Sequence, residues 1–210
     1  MSEIIEKVKQ IVIDRSNAFY EAYKDTKHEY NIYENHIKYV YNFSSMLSSS
    51  MGADQEVVVL SALLHDIAMT EIVPESELEK YRVNHNVIGA NIARKILEEN
   101  NYPKNKIDLV CNCVLNHSSS RKAYRTTQVE RILVDCDCLA HFINMNDLYS
   151  LAHNVMEYDD EKALEFIKKK LDKDFNEMST RGKKFTCDAY EKVMKATSID
   201  EIITKKSKSI

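Results

Sequence analysis

Apolar residues recur at helical spacing almost from the start of the chain. Over residues 3–24, Ile4, Ile5, Val8, Ile11, Val12, Phe19 and Tyr23 share one face while charged residues take the other, which predicts an amphipathic helix. Over residues 31–50 the positions Ile32, Val40, Phe43, Met46 and Leu47 continue the pattern, and Gly52 suits the stop of this second helix. Asp54 is placed to cap a third helix. Its run VVVLSALLHDIA is apolar nearly all round, the mark of a helix enclosed by others. The stretch MTEIVPESELEKYRV reads as a loop with room for a short helical turn. Asn84 then caps a helix from about 85 to 99, and Pro103 opens another that ends near His117.

Beyond His117 the segment SSSRKAYRTT is polar and reads as a loop. It leads into Thr127-Gln-Val-Glu130, a capping-box pattern that opens a helix through Ile132, Leu133, Cys136, Leu139 and Ile143. Amphipathic stretches at about 159–178 and 184–196, a cap at Ser198-Ile-Asp-Glu201 and a frayed tail KKSKSI complete the chain. There is no internal repeat and no linker long enough to divide the sequence.

Composition agrees with the pattern. The chain has 210 residues, 44% of them apolar, enough for one substantial core, and its three Gly and two Pro are too few for a fold built on tight turns. An all-α single domain is expected. A net charge of -4 lacks the basic footprint of a nucleic-acid binder, so nucleic acid is not expected as the main partner. The charged start MSEIIEKVKQ does not match a secretory signal, and five cysteines are an odd number, which together point to a reduced, cytoplasmic protein. No stretch approaches the roughly 18 apolar residues of a membrane-spanning helix, so no membrane partner is expected.

The chemistry concentrates where charge interrupts the apolar third helix. His65 and Asp66 stand side by side there, and ionisable groups in an apolar setting need a partner or a metal. Alone, the doublet reads equally well as a hydrogen-bonded core pair. It has company, however: His36 lies in the helix before it, and Asp135 and Asp137 lie in the later fragment ILVDCDCLAHF. Imidazole and carboxylate together suit divalent Mn, Fe, Ni, Zn or Mg, and a site with three or four protein ligands keeps positions open for water and substrate. A CxC pair at Cys111 and Cys113 and another at Cys136 and Cys138 suggest a thiolate zinc site, but residues two apart on a helix do not share a face, so packing cysteines are expected. His28, His141 and His153 match no motif position and read as structural or surface residues.

The order of these residues resembles the HD superfamily of metal-dependent phosphohydrolases. The resemblance rests on His36, the doublet in ALLHDIA, the helix HNVIGANIARKIL, the fragment VLNHS and the string DCDCLAHF, and covers roughly residues 30–145. It implies one helical domain over 1–210, with the HD core at about 30–145 and C-terminal helices at about 146–204 packing on it. It also implies a metal held by His36, His65, Asp66 and Asp137, the last preferred to Asp135 because the family pattern puts a small residue before the ligand and Leu two places after it. Asp135 is then a carboxylate behind the ligands or at the surface.

By the same resemblance Asp66, His65 and His85 are the catalytic set, with Asp66 orienting the attacking water, and His117 contacts substrate; in the loop after it Arg121 and Arg125 are cations placed to clamp phosphate, or simply members of a solvated loop. His85 and His117 stand where some HD hydrolases place ligands of a second metal, so one ion or two remains open; no second histidine follows His117, unlike variants with a His-His pair there. Gly89, one turn after His85, leaves room for a close approach of backbone or ligand. The implied activity is hydrolysis of a phosphomonoester, phosphodiester or pyrophosphate bond in a nucleotide or another small phosphorylated metabolite, by metal-activated water. The alternative is a non-catalytic HD module that binds a nucleotide or a protein partner. A homodimer is an open option.

Overall fold

The structure, a computed structural model, describes residues 2–203. Among them there are ten α-helices, joined by short 3-10 and π-helical turns, and no strand. The tail KKSKSI lies outside the described residues. Two compact units divide the chain, Met1–Asp137 and Cys138–Ile210, with the boundary inside one helix.

In the first unit, α1 (Glu3–Ala22) buries Ile5, Val8, Val12 and Phe19, the face set by its heptad-like spacing. A π-helical turn (Tyr33–Ile37) leads into α2 (Lys38–Met51), which stops at Gly52 in the left-handed conformation, φ 64°. The sequence pattern shows a single helix here; the wider π-turn at its start is invisible to hydrophobic spacing and carries His36. In α3 (Gln55–Leu64) the Asp54 carboxylate accepts from the Val57 N–H, as its position predicts. All residues from Val57 to Leu64 are buried. Fully burying side chains such as Leu60, Leu63 and Leu64 stabilises by about 1.5–3 kcal/mol each, which explains why this helix sits at the centre of the unit's core.

α3 ends at Leu64, before the doublet, and a 3-10 turn (Ile67–Thr70) follows. α1 secures this segment from outside: Arg15 Nε donates to Thr70 Oγ1 at 3.0 Å and its guanidinium pairs with Glu71, while the Tyr23 hydroxyl bonds the main chain of Val73. The stretch read as a loop contains a nine-residue helix, α4 (Glu75–Val83), none of whose side chains is buried. Without an apolar stripe it leaves no periodic signal. α5 (His85–Glu99) packs along α6 (Lys104–Asn116), and Pro103 precedes α6 as expected. Asn84 does not cap α5 with its side chain; its amide donates to the Lys80 carbonyl at the end of α4 instead.

The polar loop after α6 holds a 3-10 turn (Ser119–Tyr124). α7 (Gln128–Ile143) opens with the expected capping box: Glu130 Oε2 accepts from the Thr127 N–H at 2.8 Å and Thr127 Oγ1 accepts from the Glu130 N–H at 3.3 Å.

In the second unit, α8 (Met145–Ser150) and a π-turn (Leu151–Val155) precede α9 (Asp160–Glu177) and α10 (Thr180–Lys195). Asp159 and Ser179 cap α9 and α10 with their side chains, and a 3-10 turn (Ile199–Glu201) closes the described chain. Leu148, Ala152, Ala163, Ile167, Leu171 and Val193 form its apolar interior. His141 Nδ1 lies 3.0 Å from Asp174 Oδ2, and Lys170 bonds both oxygens of the same carboxylate, so the buried Asp174 is neutralised within this unit.

Gly89 faces both a side chain and backbone, and neither approach is unusually close. A methyl group there would meet Val114 Cγ1 at 3.4 Å and the His65 carbonyl oxygen at 3.5 Å, ordinary contact distances. Gly89→Ala is therefore expected to raise stability by up to about 1 kcal/mol, the helix-propensity gain, whereas Gly89→Leu should lower it by overpacking. Chemical-denaturant melts of the two variants check this.

Candidate metal centre

Six side chains named from the sequence converge in the first unit. His36 comes from the π-turn, His65 and Asp66 from the end of α3, His85 from the start of α5, His117 from the end of α6 and Asp137 from α7. They form two groups of three, His36 with His65 and Asp137, and Asp66 with His85 and His117; within each, one ligand atom per residue lies within 4.8 Å of the others.

A single local device aims three of these histidines. The last four carbonyls of a helix have no intrahelical partner. His65, His85 and His117 each follow the end of a helix and bond one such carbonyl through Nδ1: Ala62 at 2.8 Å, Arg82 at 2.8 Å and Val114 at 2.6 Å. A carbonyl only accepts, so Nδ1 carries the proton and Nε2 points inward. The sequence signal for this device is a histidine at a helix's end, and it is readable at His117; at His65 it is not, because the apolar run continues past the doublet while α3 stops at Leu64. For His85 it is not, because α4 leaves no pattern.

The Nε2 atoms meet at short range. His36 and His65 are 3.2 Å apart, and His85 and His117 are 3.1 Å apart. His36 Nε2 lies 3.0 Å from Asp137 Oδ1. Asp66 faces both groups, with Oδ2 3.4 Å from His65 and Oδ1 3.4 Å from His117. Two atoms bound at about 2.1 Å to a common ion, at tetrahedral or octahedral angles, stand about 3.0–3.4 Å apart. The donor set and its spacing fit divalent metal ions.

Electrostatics points the same way. Burial would lower the His65 ring, but the carboxylates of Asp66 and Asp137 and the Ala62 carbonyl outweigh it and push its pKa up to about 9. Burial would likewise raise Asp66, and the imidazoles of His65, His117 and His85 overcome it, holding the carboxyl well below the usual range. A positive charge is thus wanted where the lone pairs and carboxylates converge, and a proton on His65 supplies it when no metal does. Asp135 is buried and belongs to neither group; Asp137, one face round the helix, does.

Comparison with protein-family models matches the HD domain over residues 33–141, just over half of the chain and the stretch from His36 through Asp137. The chain belongs to the HD-domain family. Neither the search of curated proteins nor that of solved structures returned a match. The HD superfamily is one of metal-dependent hydrolases that bind divalent ions, and this HD protein has the all-α architecture to go with it. Among its described residues no helix is long and apolar enough to cross a membrane.

Two residues read as substrate ligands have other contacts in this HD chain. Arg125 donates through Nε to the Asn116 carbonyl and through a guanidinium NH2 group to the carbonyls of His117 and Ser118, all at 2.8 Å, and so closes the end of α6. Arg121 lies over the Tyr124 ring at 4.2 Å and lines a cleft of about 250 Å3 with Asn112, Asn116 and Glu130; none of the six clustered side chains lines that cleft. The four helical cysteines, Cys111, Cys113, Cys136 and Cys138, are free and buried, as expected of packing residues. Burial pushes the Cys113 thiol up to about 12 and holds the Cys136 thiol well above the ordinary range, the reverse of what a thiolate metal ligand needs.

The raised His65 ring makes metal binding and stability pH-dependent. With chelator present, its contribution to stability is complete below about 6.5 and disappears as pH rises through about 9. Metal affinity should rise over the same interval, by about tenfold per pH unit for one displaced proton; calorimetric metal titrations at several pH values measure the slope. Arg125→Ala should cost about 2 kcal/mol of stability, since three carbonyls lose a charged donor, while Arg121→Ala should cost far less. Thermal melts of both variants separate the two roles.

Proposed function

We propose that this chain is a phosphohydrolase with a two-ion centre, acting on a nucleotide or another small phosphorylated metabolite. The observation that carries this reading is the arrangement of six ligands in two groups, with Asp66 directing one carboxylate oxygen to each. His36, His65 and Asp137 would hold one divalent ion, and His85 and His117 would hold the other, with an Asp66 oxygen facing each group. Two imidazole nitrogens per group favour Mn, Fe, Ni or Zn over Mg, which prefers an all-oxygen shell. When bound, such ions acidify water and neutralise the charge that develops on a phosphoryl group.

The chain's own residues supply the rest. The carbonyl-bound histidines hold their Nε2 atoms in place before any ion arrives, which limits reorganisation. Asp66 stays ionised and accepts a hydrogen bond from the attacking water, directing it at phosphorus. Access runs from the side of His85, Asp66 and Asp137, whose side chains are 24%, 18% and 17% exposed, against 1% for His65 and 4% for His117. A phosphate entering there meets the two-ion face first. Arg121, which faces a separate cleft with Tyr124 and Asn116, would have to leave these contacts to reach a longer phosphate chain.

Protein stripped with chelator and reloaded with Mn should hydrolyse a nitrophenyl phosphomonoester or phosphodiester and one class within a nucleotide panel. Asp66→Ala should lower kcat by about a thousandfold, some 4 kcal/mol of transition-state stabilisation, with the fold retained by circular dichroism. Arg121→Ala should raise KM for a nucleotide more than for the nitrophenyl ester. A folded, metal-loaded protein that turns over nothing across this panel would instead be a binding module built on the same pocket.

A further inference from the structure

The two ligand groups differ in what holds their histidines. His65 is anchored by Ala62 inside α3, which is buried along its length, and His117 by Val114 inside α6, whose Val114 is fully buried. His85 is anchored by Arg82, and Arg82 belongs to α4, which buries no side chain at all. Beyond light contact with the turn Ile67–Thr70 and with α5, the polar contacts of α4 are local and exposed: Arg82 forks onto both oxygens of Glu79 at 2.6 and 2.7 Å, Lys80 lies 3.9 Å from Glu77, and the Asn84 amide bonds the Lys80 carbonyl. Its only inward-facing side chains, Leu78 and Tyr81, are half-buried, and a nine-residue helix with so little burial has marginal stability of its own. His85 is also the most exposed imidazole of the six-residue cluster.

We infer that α4 is the positioning element of the second metal position, so that this position fills after the first and its occupancy is linked to α4 being folded. The inference rests on the two-ion reading above. When α4 is helical, the Arg82 carbonyl fixes the His85 ring with Nε2 toward His117 and Asp66. When α4 frays, that carbonyl swings away, His85 regains its ring freedom, and Asp66 and His117 are left as two ligands of an incomplete set. Linkage is reciprocal, so an ion held by Asp66, His85 and His117 stabilises α4 in turn. In the first group, His65 takes its anchor from Ala62 in α3 and none is taken from the Arg82 carbonyl.

Mn titration of the chelator-stripped full chain, followed by calorimetry and by electron paramagnetic resonance, tests this. Two steps are expected, the second at least about tenfold weaker than the first and accompanied by spin coupling between the ions. Glu79→Pro breaks α4 at an exposed position and should weaken the second step by a further factor of about ten or more, leaving the first unchanged; Glu79→Ala removes the Arg82 fork but keeps a good helix former and should weaken the second step by a few-fold at most. Hydrogen exchange of the α4 amides should slow only as the second equivalent binds. A two-step uptake that ignores Glu79→Pro, or α4 exchange that ignores the second ion, overturns the role of α4 while leaving the two-ion centre intact. A protein that binds no Mn overturns the reading beneath it.

Discussion

The bond from an imidazole Nδ1–H to an orphan helix carbonyl is the interaction on which the centre depends. It is made three times, at Ala62, Arg82 and Val114, and each time it does two jobs. It satisfies a carbonyl that the helix leaves open, and it fixes the tautomer that turns Nε2 inward. Lone pairs fixed at 3.1–3.2 Å repel one another unless a cation stands between them. The folding of the helices therefore creates the demand for positive charge, and the carboxylates of Asp66 and Asp137 intensify it.

Helix ends rather than helix faces build the site. A continuous helix turns adjacent residues about 100° apart, so His65 and Asp66 reach the same centre because α3 stops between Leu64 and the 3-10 turn. His36 gains its aim from a π-turn, and His117 closes α6 just before the polar loop. The core contributes by holding these ends still. α3 is buried almost throughout, and α1 secures the segment after the doublet through Arg15 and Tyr23.

Most of the fold was legible because burial writes itself into periodicity. The faces of α1 and α9, the enclosed run of α3, the Asp54 cap and the Thr127–Glu130 box all appear in the structure where the residue types place them. The features that escaped are those that hydrophobic spacing does not encode. α4 buries nothing and so has no stripe; Asn84 resembles an N-cap yet bonds backward to α4; α10 starts at Thr180, earlier than its apolar pattern, because Ser179 caps it. For the site, residue types and order marked all six clustered positions, but the division into two groups depends on distances that no linear pattern carries. Arg125 shows the opposite limit: a cation in a loop suggests a ligand for phosphate, and only the structure reveals three carbonyls around it.

The loop between α6 and α7 is fastened at both ends by groups of opposite charge. Arg125 grips the carbonyls of Asn116, His117 and Ser118, while the buried Glu130 carboxylate gathers the Asn116 amide and the Thr126 and Thr127 N–H groups. Between these anchors, Lys122, Ala123 and Tyr124 are exposed. Such a segment is free to drift in evolution: its tip can change length, charge or aromatic content without disturbing His117 or the start of α7. A lineage adapting to a new compound would find room for change there, whereas a change at Arg125 or Glu130 would unfasten the loop from both helices.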